Sequence, residues 1–429
     1  MRVARVVGAI ASLVAAIACF LGIALASPAQ AQTSQDVKGT VRQSGEGVVG
    51  VRFIVTRGDE AIGESTTDED GRWQVELPEP GTYTVTLDLT TLPEGVALRE
   101  DDEPVREVEV SAGQSKGVLF ALERESGGGS STVKKLANLF VDGIKVGAII
   151  AITSVGLSLI FGVTGLVNFA HGELVTFGAV VAFYLNGSSG NRIMPLFVAA
   201  IIAMIAGGVL GGALELGIFS RLRRRRTSRV SLLVTTIGLG LLLRHIILIV
   251  YGEQGRKYLD YAIQTDPVEF GPISIPPRDL IVIIISLAVL AAVGLLLQRT
   301  RLGTAMRAVA DDRDLASSSG INVGRVTLAV WIAGGALAAL GGVFYGLTSF
   351  AVSWDMGLGL LLLMFAGIIV GGLGTAFGAM VGGLFVGIAS EMSTEWLSPE
   401  FKYVVAFLTL ILVLLVRPQG ILGRRERIG

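Results

Sequence analysis

The residues able to do chemistry here are polar ones standing inside or between apolar stretches. Asn168, His171 and Glu173 fall in GLVNFAHGE, at a break between two apolar runs. Inside a membrane, loosened backbone is tolerated only where it is buried in protein or lines a cavity, so such a break can mark a solute path. A carboxylate there is costly to bury alone, which calls for a partner or water beside Glu173. Direct solute contact and capping or gating of a helix end both fit these three residues. Charge counting puts the break toward the cytoplasmic side and away from the midplane. Arg244 and His245 interrupt a further apolar run. A histidine there can shuttle a proton, but no chain of carboxylates accompanies it, and snorkelling or pairing with Glu215 is the expectation. Asp142 and Lys145 are spaced to pair on one helix turn.

A second polar stretch, residues 299–326, reads RTRLGTAMRAVADDRDLASSSGINVGRV and separates two apolar runs. Its five arginines place it in the cytoplasm by the excess of basic residues in cytoplasmic loops. Ala305, Ala308, Val309 and Leu315 can share a face at helical spacing, and Gly320 closes the segment. Arg307 and Asp311, four apart, can brace that helix. A short helix on the membrane surface is suited to receive a push from a soluble partner; a solvated loop joining two spans is the alternative.

The elements that position these residues follow from hydropathy. The 429 residues are 51% hydrophobic and 17% charged, with mean hydropathy +0.66, against about 25% charged in an average soluble domain. From residue 136 onward, apolar stretches fall at 146–163, 174–185, 195–219, 230–251, 280–297, 326–345, 357–372, 376–389 and 403–416. An α-helical polytopic membrane protein with about nine apolar segments is therefore expected. Several are shorter than the ~20 residues of a full span, so broken or re-entrant helices are expected among them. The arginines at 221–229 and after residue 416 join those of 299–326 on the cytoplasmic side, which puts the start of this module outside and the C-terminus inside.

Residues 1–31 have a basic start, an apolar run and Ala29-Gln30-Ala31, the pattern of a secretory signal, with an uncleaved anchor as the alternative. Residues 32–125 form an acidic module with 9 Lys+Arg and 20 Asp+Glu, a net of −11. Strand-length alternation in VKGTVRQ, VGVRFIVTR, RWQVELP, GTYTVTLDL, REVEVSA and GVLFALE, with turns at Asp70-Gly71 and Pro80-Gly81, makes it a small all-β extracellular sandwich. Asp68, Glu69 and Asp70 are read as a hairpin turn; a calcium loop centred on Gly71 would require an acid where Leu77 stands. Residues 126–135, with SGGGSS, are the expected flexible linker, and 136–429 the transmembrane module.

Absences narrow the function. No G-x-x-x-x-G-K-[ST] occurs, so nucleotide hydrolysis has to come from another chain. No H-E-x-x-H occurs. One cysteine, Cys19, and two histidines give no disulfide framework and little metal-binding material. No cofactor, metal or nucleic acid is called for.

GTAMRAVADDRDLASSSGINVGRV resembles the cytoplasmic coupling loop of ABC-importer permeases of the LivH type, the branched-chain amino acid uptake family. GVTGLVNFAHGELVTFGAVVAFYL (162–185) is similar to that family's first two spans, and the likeness runs from about residue 136 to 422. It implies a permease without its own nucleotide site, paired with a second permease subunit, two cytoplasmic ATP-binding subunits and an extracellular solute-binding protein in the plasma membrane. Gly303, Ala305, Arg307, Ala308, Asp311 and Gly320 would form the docking element. Branched-chain amino acids are the implied cargo, with urea or short amides as the alternative within the family. A proton-coupled secondary transporter and a receptor are the alternatives outside it. The N-terminal module, through GTV, TTDEDGRW and PEPGTYTV, resembles carboxypeptidase-regulatory-like (transthyretin-like) sandwiches.

Overall fold

The computed structural model describes residues 35–43, 46–58, 60–68, 71–93, 96–98, 104–110, 115–118, 120, 122–124, 131–187, 193–260 and 267–423. The signal segment with Cys19, Glu69, Asp70, residues 126–130 of the linker and the arginines after residue 423 lie outside these. The described residues fall into two compact units, one within Pro28–Val133 and one within Lys134–Gly429.

The first unit is β-rich. Strands β1 (Asp36–Thr40), β2 (Arg42–Gln43), β3 (Glu46–Gly47), β4 (Arg52–Arg57), β5 (Glu60–Thr66), β6 (Arg72–Glu76), β7 (Gly81–Leu87), β8 (Val96–Leu98), β9 (Val105–Val110), β10 (Ser115–Gly117) and β11 (Leu122–Arg124) follow in order. An antiparallel sheet runs β5-β4-β7-β9, and a second runs β10-β1-β6 with β1 and β10 parallel. Alternation in β6 and β7 buries Trp73, Val75, Tyr83, Val85 and Leu87 in one core with Val37, Phe53 and Val55. Phe53 stacks on Trp73 at 4.3 Å, a pairing favourable beyond its buried area. Strand β5 was not expected: EAIGEST lacks alternating apolar residues and forms by pairing with β4. Asp68 holds its turn through its own carboxylate, which accepts from the Arg72 amide at 2.7 Å.

The second unit is helical: α1 (Ser131–Thr164), α2 (His171–Gly187), α3 (Leu196–Leu214), α4 (Ser220–Arg224), α5 (Arg229–Tyr251), α6 (Pro277–Arg299), α7 (Arg301–Asp311), α8 (Arg313–Ser318), α9 (Val323–Thr348), α10 (Met356–Gly371), α11 (Ala376–Met392) and α12 (Lys402–Val416). A π-helical turn, Glu215–Phe219, joins α3 to α4. Each apolar stretch read from the sequence is helical. Helix α1 begins at Ser131, inside the stretch expected as linker. Among the described residues seven helices are long and apolar enough to cross a membrane: Val133–Thr164, Leu196–Arg224, Arg229–Tyr251, Pro277–Arg299, Val323–Thr348, Ala376–Glu395 and Pro399–Val416; Met356–Gly371 is shorter. α1 and α9 are central, with 78% and 72% of their apolar stretches buried, whereas α12 buries 6%. An apolar helix exposed in this way belongs against lipid or another subunit.

Side-chain pairs show which helix ends lie together. Lys145, midway along α1, bonds Asp279 at the start of α6 at 2.8 Å. Lys402 at the start of α12 grips both carboxylate oxygens of Glu391 at the end of α11. Asn186 at the end of α2 accepts from Leu259 after α5. The opposite end holds α4, α7, α8 and the arginines at 221–229.

Candidate translocation path and docking helices

Helix α1 stops at Thr164, where Gly165 takes φ +65. Residues 165–170 are not helical. They run back beside α1, because the His171 Nε2 lies 3.2 Å from the Thr153 carbonyl oxygen. Thr153 is 11 residues before the end of α1, or ~16 Å at the helical rise. The break is therefore re-entrant and opens α2 inside the bundle. Charge counting fixes the end at which a loop emerges, not how deep it turns back, which is why the sequence placed this break near the surface.

Asn168 caps the break: its Oδ1 accepts from the Ala170 amide at 3.1 Å, and its carbonyl from the His171 amide at 3.2 Å. Glu173 is 2% exposed and has the partner it required. That partner is Arg244, whose Nε and Nη2 donate to Glu173 Oε1 at 3.0 and 2.6 Å. Pairing with Glu215, expected beside snorkelling for this interruption of the apolar run, does not form; Glu215 pairs with Arg223 across the π-helical turn. His245 is exposed on α5, its Nδ1 2.7 Å from its own helix's Leu241 carbonyl oxygen. Lys145 does bond Asp142, at 2.6 Å, while its second bond, to Asp279, had no sequence signal.

Asn168 Nδ2, His171 Nδ1 and Glu173 Oε2 are buried without a hydrogen-bond partner among the described residues. Unsatisfied polar atoms concentrated at one place are expensive. Here they cluster where α2 starts, and α10 starts beside them. The Gly357 amide donates to Thr176 Oγ1 at 3.0 Å, and a Cβ on Gly172 would fall 2.6 Å from the Gly357 carbonyl oxygen. Two short helices thus open against each other inside the bundle, an arrangement transporters use to build solute sites from interrupted helices.

The 299–326 stretch is two helices, not one. Thr300 caps α7 by accepting from the Gly303 amide at 3.0 Å. Asp312 breaks the run with extended backbone and caps α8, accepting from the Asp314 and Leu315 amides at 2.9 Å each. Gly303 is buried, and a Cβ there would stand 2.5 Å from the Leu296 carbonyl oxygen, so only glycine lets α7 fold back on α6. Ala305 and Ala308 pack partly against the core beside buried Met306 and Val309. Leu315 does not share that face: it is 65% exposed, because the break at Asp312 rotates it outward. Arg307 and Asp311 are exposed. Gly320, at φ +85, ends α8 as expected. No spacing signalled that Arg313 of α8 lies within electrostatic reach of Glu215, or that Phe219 of the π-helical turn stacks on Trp331 of α9 at 4.7 Å.

Apolar helices around two central ones, interrupted helices opening inside them and an exposed helix pair at the arginine-rich end describe a polytopic membrane transport protein. Residues 139–414 match the family described as branched-chain amino acid transport system / permease component. The high-affinity branched-chain amino acid transport system permease protein LivH of Salmonella typhimurium is 32% identical over 298 residues, covering 66% of this chain and 94% of that protein. LivH of Escherichia coli K12 is 32% identical over 303 residues, again 66% and 94%. BraD of Pseudomonas aeruginosa is 30% identical over 296 residues, 67% and 95%. The chain belongs to this family of permease components. No solved structure matches it.

Proposed function

We propose that this chain is the membrane-spanning permease subunit of an ABC importer for branched-chain or closely related amino acids. The family match, over nearly the full length of the LivH and BraD relatives, is the observation that carries the reading. The chain works with a second permease subunit, two cytoplasmic ATP-binding subunits and an extracellular solute-binding protein. The arginine-rich end faces the cytoplasm. Nine helices then cross or enter the membrane, α2 and α10 as short members, and the β-rich unit is an extracellular sandwich.

In this mechanism, closure of the ATP-binding subunits pushes on α7 and α8. Gly303, Ala305 and Ala308 keep α7 close to α6, Arg307 and Asp311 present charge to the partner, and Gly320 sets the return into α9. Arg313 passes the displacement to Glu215 and Arg223, and Phe219 on Trp331 passes it to α9. The starts of α2 and α10 then separate or close around solute, with Asn168, His171 and Glu173 at the gate. Co-expression with the partner subunits, followed by ATP-dependent leucine uptake into proteoliposomes, tests the reading. Absence of uptake with a leucine-loaded binding protein, while ATP is hydrolysed, would reject the cargo.

A further inference from the structure

A cleft of about 550 Å³ opens where the last turn of α9, the 349–355 connection and the first turns of α10 and α12 come together. This is the end opposite the arginines. Tyr345, Ser349 and Tyr403 bring hydroxyl groups to its lining, and Ser353, Asp355 and Met356 continue it. Tyr403 can lean over α10 because residue 359 is glycine; a Cβ there would fall 2.7 Å from the tyrosine hydroxyl oxygen.

Asp355 is the unusual member. It occupies the N-cap position of α10, yet its side chain makes no capping bond, whereas Ser228, Thr300, Asp312 and Asn322 each cap their helices. Its carboxylate is exposed toward the cleft and has no hydrogen bond or ion pair among the described residues. It lies within electrostatic reach of Glu173, at the neighbouring start of α2. Gly357, two residues after Asp355, touches Gly172 of α2, so the α10 edge of the cleft adjoins the junction of the two interrupted helices.

Concave sites with an apolar wall and a few placed polar groups are built for small solutes. A free carboxylate beside hydroxyl donors and a methionine matches the three parts of an aliphatic α-amino acid: ammonium, carboxylate and side chain. We propose that this cleft is the entry subsite of the transport path, with Asp355 receiving the ammonium group of an α-amino acid. The proposal rests on the permease reading above and adds where solute first binds.

The test uses the complete transporter in proteoliposomes, with leucine-loaded binding protein titrated outside. The wild type is measured first, and its failure to accumulate leucine strikes the permease reading rather than this one. Given wild-type uptake, Asp355→Asn lowers the initial rate about tenfold or more, the scale of one lost charge-assisted hydrogen bond. Subunit assembly and basal ATP hydrolysis stay at the wild-type level, and Asp355→Glu restores much of the rate. Ser353→Trp, which puts bulk into the cleft lining, also stops uptake. Asn-variant uptake within twofold of wild type, an equal loss in the Asn and Glu variants, or normal uptake by Ser353→Trp each overturns the proposal.

Discussion

Glu173 shows how much of a single residue's role the sequence carried. Its need for a partner followed from the cost of burying a carboxylate, whereas the partner's identity depends on how α2 and α5 cross, and no spacing encodes that. The same gap misdirected the interruption at Arg244 and His245 toward Glu215. Removing one member of a buried pair leaves a stranded charge, at about 3–5 kcal/mol. Arg244→Ala should therefore lower the thermal unfolding midpoint in detergent markedly, Arg244→Lys less so; equal midpoints would show that Glu173 is solvated. In the β-rich unit, the Thr90 hydroxyl and then Arg52 hold the Asp88 carboxyl below the usual carboxylate range. A lowered folded-state value gives stability that is complete above the ordinary aspartate pKa of about 3.9. That stability is lost as pH falls through the folded value. Urea unfolding followed at Trp73 should thus show wild type losing its advantage over Asp88→Asn below about pH 4, and keeping it at neutral pH.

Helical spacing was enough to make the 299–326 stretch helical and to put its alanines on one face, because period and composition are local properties. The break at Asp312 was not legible: a capping aspartate and a mid-helix aspartate look alike until the backbone is seen, and the error carried Leu315 onto the wrong face. Asp312→Ala should cost about 1 kcal/mol of local stability through the lost cap and speed amide exchange in α8 with α7 unchanged. Gly303→Val is expected to push α7 off the Leu296 carbonyl. Its signature is ATP hydrolysis that no longer drives uptake, measured as moles of leucine accumulated per ATP; an unchanged ratio would remove α7 from the coupling route. The depth of the two interrupted helices was hidden for a related reason. Arginines mark where chain leaves the bilayer, and nothing in GLVNFAHGE states how far it climbs back.

For the molecule as a whole, the acidic and basic halves of the sequence already separated two units, and the family match begins at residue 139, beyond the β-rich one. Deleting residues 35–125 should therefore leave the transmembrane unit folded, with its unfolding midpoint and basal ATP hydrolysis in the complex retained. Uptake measured at limiting binding protein then reports whether the β-rich unit helps delivery, and a collapse of the midpoint would show that the two units depend on each other for stability. The contact of Gly172 with Gly357 bears on how such a unit moves. The two glycines put no side chain of their own between the backbones, so a slip of a fraction of a helical turn along this seam has the Thr176–Gly357 hydrogen bond to break and little else to unlock. A seam of that kind would give the proposed path a low-friction plane at its own depth, while the larger side chains around it stay meshed.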